Sequence, residues 1–184
     1  MKQIILAAFI IAVCLLQACN TQTPDSNFNK IALNTNIFTY FANPDVKTKI
    51  TRGIGVKTVD GKVQYDAKGN AVLDTIPAEE MVDHEILFLQ QSYEKVKSVK
   101  PDEEIKEMRS IAMQMYEMAI PVYENEYRQY AKMLDTHQPR EKADSMINVI
   151  NDKYGDKFTD LVVKLRAIAR PYAEKHNLNV NWGN

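Results

Sequence analysis

The sequence predicts a mainly α fold: an antiparallel bundle of three long helices, with a short N-terminal helix and a small β-hairpin. Three observations carry that expectation. From Pro77 onward the apolar residues recur at helical spacing. Proline and acid-rich starts divide that text into three long runs. The one stretch that alternates instead lies around Asp60-Gly61, a dipeptide that favours tight hairpin turns.

The elements follow in order. Thr21 to Asn27 is polar, contains Pro24 and reads as a tether. In "FNKIALNTNIFTYFANP", Ile31, Asn34, Phe38 and Phe41 fall on one helical face. Its asparagines and threonines are weak helix formers, so a short helix ending before Pro44 is expected. Valines on both sides of Asp60-Gly61 predict a hairpin at about 54–73, with a second turn at Lys68-Gly69-Asn70. A two-stranded ribbon is marginal alone, so it is expected to lean on the helices. Asp60 and Asp66 fit turn chemistry better than a calcium loop, because the spacing and the distal glutamate of an EF-hand are missing.

Thr75 is the expected N-cap of the first long helix, where Val82, Ile86, Leu89, Tyr93 and Val96 form the apolar stripe. Pro101 with Asp102-Glu103-Glu104 opens the second. This helix carries two adjoining seams. One includes Ile105, Met108, Ala112, Met115, Ala119 and Val122; the other includes Tyr116, Tyr123, Tyr127, Tyr130 and Leu134. Two seams make a wide buried face, and Pro121 inside them predicts a kink rather than a stop. Ala143, Ile147, Ile150, Tyr154, Phe158, Leu161, Leu165, Ile168 and Tyr172 phase the third run, with Gly155-Asp156 as a bend or break. The tail "NLNVNWGN" is expected to be irregular, with Trp182 tucked back or offered outward.

The first residues point to a compartment. Lys2 precedes a charge-free apolar run from Ile4 to Leu16, the pattern of a secretory signal and too short for a stable bilayer crossing. Leu16-Gln17-Ala18-Cys19 resembles the lipobox of bacterial lipoproteins. That resemblance implies cleavage before Cys19 and acylation, palmitate included, of the new N-terminus, with several chains giving stable attachment. Residues 1–18 are then the signal, 19–27 the lipidated tether and 28–184 a single helical domain. Removal of the first 18 of 184 residues leaves 166, and neither remaining cysteine function is open: Cys14 leaves with the signal and Cys19 is the anchor. Asn20 is not the aspartate that resembles an inner-membrane retention signal, and no acidic run follows Cys19 as in some surface-exported lipoproteins. The resemblance therefore implies the outer membrane, on its periplasmic face.

Charge excludes more than it assigns. The precursor has 23 bases against 24 acids, interspersed along the chain, which speaks against nucleic acid as a partner. No Glu-x-x-His pair or second histidine at helical spacing accompanies His84; His137 and His176 lie in a loop and near a helix end, so no metal or cofactor is expected. Met108, Met113, Met115 and Met118 invite a soft-metal reading, but methionine is also an ordinary gap-filler on a core seam. No nucleophile, base and orienting group occur together, so no catalytic residue is assigned.

The tyrosine stripe has two readings. Tyr123, Tyr127 and Tyr130, with Tyr116, line the core against the N-terminal segment, or with Trp182 they form an aromatic groove for a partner. Asp74-Thr75-Ile76 and Asp144-Ser145-Met146 resemble the short acceptor sites of periplasmic O-glycosylation in Bacteroidetes. The function expected is an envelope-anchored lipoprotein whose non-enzymatic helical domain scaffolds or binds another envelope protein or a cell-surface polymer. The alternatives are a periplasmic carrier of a small ligand or soft metal, and an enzyme whose site is not visible in sequence.

Overall fold

The computed structural model describes residues 22–60 and 62–182. The elements run α1 (Pro24–Ile31), a 3₁₀ segment (Leu33–Tyr40), α2 (Val46–Lys49), β1 (Gly53–Val56), β2 (Thr58–Val59), β3 (Lys62–Val63), β4 (Leu73–Ile76), α3 (Ala78–Ser98), α4 (Lys106–Val122), a π turn (Tyr123–Tyr127), α5 (Arg128–Asp135) and α6 (Arg140–Lys175). The three long helical rods are α3, the continuous α4–α5 and α6. The expected signal, residues 1–18, and the expected lipidation position Cys19 lie outside the described residues.

The domain begins earlier than expected. Thr23 caps α1, its Oγ1 accepting from the Ser26 amide at 3.2 Å, with Pro24 in the first turn. Thr-Pro-Asp is itself a helix start, so residues 24–27 belong to the domain rather than the tether. The helix then tightens to 3₁₀. Thr35 and Thr39 donate to the carbonyls of Ala32 (2.6 Å) and Asn36 (2.7 Å), and such local bonds compete with α-helical pairing. Phe38 and Phe41 are buried all the same.

The ribbon is a stem of β1 and β4 with two turns beyond it. The stem pairs Gly53 with Ile76 through to Val56 with Leu73, and β2 pairs with β3. Past the Tyr65–Ala71 bridge, the Asp66 carboxylate accepts from the amides of Lys68 (2.8 Å) and Asn70 (2.9 Å), while Gly69 takes φ +84°. The bonds from Asn70 and Lys68 hold the Asp66 carboxyl below its usual range. The ribbon does not lie against the helices along its length: Ile54, Tyr65 and Leu73 are largely exposed. It is held at its base, where Arg52 meets Asp135.

That base shows a cap no local pattern displays. Thr75 lies in β4 and does not cap α3, whose N-cap is Pro77 with no side-chain bond of its own. Instead Asp135, at the end of α5, accepts from the amides of Ala78 and Glu79, each at 3.0 Å, and from Arg52 Nε at 3.3 Å. Partial burial raises the Asp135 carboxyl, and the two amides with Arg52 more than offset this, leaving it low.

In the second rod, Asp102 Oδ1 accepts from Glu104 and Ile105 amides (2.9 and 3.0 Å), and α4 starts at Lys106, later than the Pro101 expected. Pro121 lacks the amide that would continue the ladder. The rod takes this up as a π turn immediately afterwards, with Asn125 Nδ2 donating to the Pro121 carbonyl at 2.7 Å. Both seams are buried through it: Met108, Ala112, Met115, Ala119 and Val122, then Tyr123, Tyr127 and Tyr130. Gly155 neither bends nor breaks α6. A Cβ there would lie 3.4 Å from the Ala42 carbonyl, an ordinary contact, so Gly155 packs beside the corner at Ala42, itself at φ +48°.

The two ends of the bundle are distinct. At one, Gln22 bonds to the Ser98 carbonyl (3.2 Å) and the Lys100 amide (3.1 Å), and Glu104 meets Lys175 and His176, each at 2.8 Å. The Lys175 and His176 bonds hold Glu104 below its usual range. At the other end sit Arg52, Ala78, Asp135 and the ribbon.

Candidate functional site

The tyrosine stripe is core. Tyr123 is 4% exposed and Tyr127 and Tyr130 are fully buried, as is Tyr116. The groove reading of these residues is thereby replaced by its alternative: the N-terminal segment is seated on them. Tyr116 Oη donates to the Asn34 carbonyl at 3.0 Å, and the Ala42 amide donates to Tyr127 Oη at 2.9 Å. Phe38 meets Tyr116 edge-on at 4.7 Å and Phe158 at 5.2 Å, while Phe41 stacks on Tyr123 at 6.1 Å. Burial pushes the phenols of Tyr116, Tyr123 and Tyr127 up, so they stay neutral hydroxyls at any physiological pH.

Two of these hydroxyls make opposite predictions. Tyr127→Phe leaves the Ala42 amide without its acceptor at a left-handed corner, and should lower stability by about 1–3 kcal/mol. Tyr130 Oη is buried with no hydrogen-bond partner among the described residues. Tyr130→Phe should therefore be neutral or stabilising. Urea melts of the two variants side by side test this; equal losses would contradict it.

Seating the N-terminal segment leaves a cleft of about 310 Å³ between the 3₁₀ segment and α6. Phe28, Phe38, Phe158, Met115 and Leu165 form its buried lining, and Thr35, Asn36, Thr39 and Thr159 its polar edges. Trp182 borders it, edge-on to Phe28 at 5.9 Å and under the Arg170 guanidinium at 5.5 Å. Of the four residues expected to meet a partner, Trp182 is the one that borders an open site. Arg166 is the only ionisable side chain among the described residues of the lining, and it forms no ion pair among those residues.

The other candidates are dispersed. His84 and His137 are exposed, and His176 pairs with Glu104. Met108 and Met115 fill the core, with Met113 and Met118 packed half-buried against it. Among the described residues no group of three or more His, Cys, Asp or Glu is placed to hold a metal ion. No helix among them is long and apolar enough to cross a membrane.

Sequence reasoning missed the cleft because its lining is drawn from residues 28–43, Met115 and residues 158–182, which lie far apart in the chain. The available signal was composition: apolar aromatics interleaved with threonine and asparagine in "NTNIFTYFAN". Comparison with protein-family models, with curated proteins and with solved structures finds no significant match, so the cleft is interpreted from its own geometry.

Proposed function

We propose that the protein is an envelope lipoprotein, held through acylated Cys19 at the periplasmic face of the outer membrane, whose helical domain is a non-enzymatic binding module. The observation that supports binding is the cleft. Its aromatic and aliphatic interior favours an apolar body, and Arg166 with the Asn36 amide favours an anionic or acceptor-rich end. Its volume of about 310 Å³ lies at the small end of ligand sites, which suits a compact amphipathic acid rather than a two-chain lipid. A carrier of such a molecule needs no nucleophile, and the cleft offers no acid–base pair among its described lining residues.

Trp182 is the chain's single tryptophan, so its emission reports the cleft alone. Titration with 8-anilinonaphthalene-1-sulfonate, an apolar body with one anionic group, should quench Trp182 and saturate. Arg166→Ala should weaken binding about tenfold, equivalent to about 1.4 kcal/mol. Thr159→Phe, which narrows the exposed rim, should weaken it further. A titration unchanged by both substitutions would count against the cleft as the site.

The scaffold reading keeps a footing elsewhere. Large apolar side chains stand exposed on the ribbon.

A further inference from the structure

The β1–β4 stem is patterned the wrong way round for a surface that meets only water. Ile54 lies opposite Thr75, and Val56 opposite Leu73. Directly opposed residues share a face, so Ile54, Val56 and Leu73 form one apolar face. They are 79%, 48% and 67% exposed. The other face carries Gly53 and Gly55 with their partners Ile76 and Asp74. A Cβ at Gly53 would lie 3.5 Å from Met81 Sδ on α3, and one at Gly55 would lie 2.6 Å from Ile76 Cδ1. On that face Ile76 lies over the two glycines and is partly buried, whereas Ile54, Val56 and Leu73 stand together on the face turned outward. A half-buried strand ordinarily does the reverse. Val59 and Tyr65, 48% and 65% exposed, extend the apolar character along the ribbon.

The position of the ribbon narrows what covers this face. Cys19 lies three residues before Gln22, a span of at most about 11 Å. Gln22 is bonded at the end of the bundle where α3 finishes. The ribbon joins where α3 begins, 21 residues and about 30 Å away. A domain anchored through Cys19, the reading on which this step rests, therefore carries its ribbon away from the bilayer. Two anchored copies carry their ribbons at one height, and confinement to a membrane raises their effective concentration. The ribbon is also neutral: Lys57, Lys62 and Lys68 balance Asp60, Asp66 and Asp74. A face that meets its own copy must be self-complementary, and this one sets no net charge of one sign against itself.

We propose that the ribbon's apolar face is covered by a second copy of the chain, with Ile54, Val56 and Leu73 at the centre of a homodimer contact. The absence of a free thiol from the acylated mature chain makes the test clean. Ile54→Cys, Val56→Cys and Leu73→Cys are introduced singly into the full chain and oxidised with copper phenanthroline in intact membranes. Each should give a disulfide dimer at twice the monomer mass. Val149→Cys and Val163→Cys, on α6 at 63% and 60% exposure, should stay monomeric. Adding Ile54→Asp to Leu73→Cys should reduce the dimer at least tenfold with the thermal melt unchanged. Monomer from every ribbon position, equal dimer from ribbon and α6 positions, or an adduct of another mass would overturn the proposal. Fractionation of the same sample reports anchoring separately: a soluble chain overturns the anchored reading, while the position dependence of the disulfide still decides the ribbon contact.

Discussion

Tyr116→Ala is expected to cost about 4 kcal/mol, a large part of the stability of a domain this size. Tyr116 is fully buried, donates to the Asn34 carbonyl, stacks on Tyr93 at 5.7 Å and supports Phe38 edge-on at 4.7 Å. Truncation removes the aromatic surface, leaves a cavity between the N-terminal segment and the bundle, and frees a backbone carbonyl. Tyr116→Phe keeps the ring and should cost only about 1 kcal/mol. Because the N-terminal segment forms one wall of the cleft, Tyr116→Ala should also abolish quenching of Trp182 by the sulfonate probe in whatever fraction stays folded. Urea unfolding followed by circular dichroism measures the loss. A cost below 1 kcal/mol would mean that the stripe is an open aromatic groove after all.

Asp135→Ala should cost about 2 kcal/mol. One carboxylate accepts from both amides at the start of α3 and from Arg52, so its removal leaves a helix end uncapped and unfastens the base of the ribbon. The pH dependence has a definite sign. The folded-state pKa is depressed, so the folded chain releases this proton before the unfolded one as pH rises. The contribution is fully present above the usual aspartate range and is lost as pH falls through and below it. Wild type and Asp135→Ala should therefore differ at pH 7 and draw together as pH falls below the usual aspartate range. A gap that persists at low pH would assign the loss to packing instead.

Periodic features were legible in the sequence, and features made by distant residues were not. The stripe from Val82 to Val96 and both seams of the second rod reach the core because burial follows helical phase, and the π turn after Pro121 carries the buried line onward. The hairpin turns were legible from Asp60, which takes φ +50° between paired Val59 and Lys62, and from Asp66 to Asn70, where local side-chain bonds hold the turn. Thr75 was a plausible cap, but its own region is strand and the capping is done by Asp135, 57 residues from the amide of Ala78. Gly155 resembled a break because only the fold brings the Ala42 carbonyl against it. The ribbon's alternation was visible, yet nothing local says which face turns inward; the face of Gly53, Gly55 and Ile76 does so, with Met81 of α3 beside Gly53. Trp182 was legible as an unusual residue, but its place beside Phe28 required the tail to return across the chain.

Native mass spectrometry of the protein, extracted from its membrane in mild detergent, reads the anchor and the cleft in one experiment. The expected spectrum is of a chain beginning at Cys19 and carrying acyl groups, with a small acidic molecule bound non-covalently in wild type and lost from Arg166→Ala and Thr159→Phe. A chain without acyl groups, free of any bound molecule in every charge state, would contradict it.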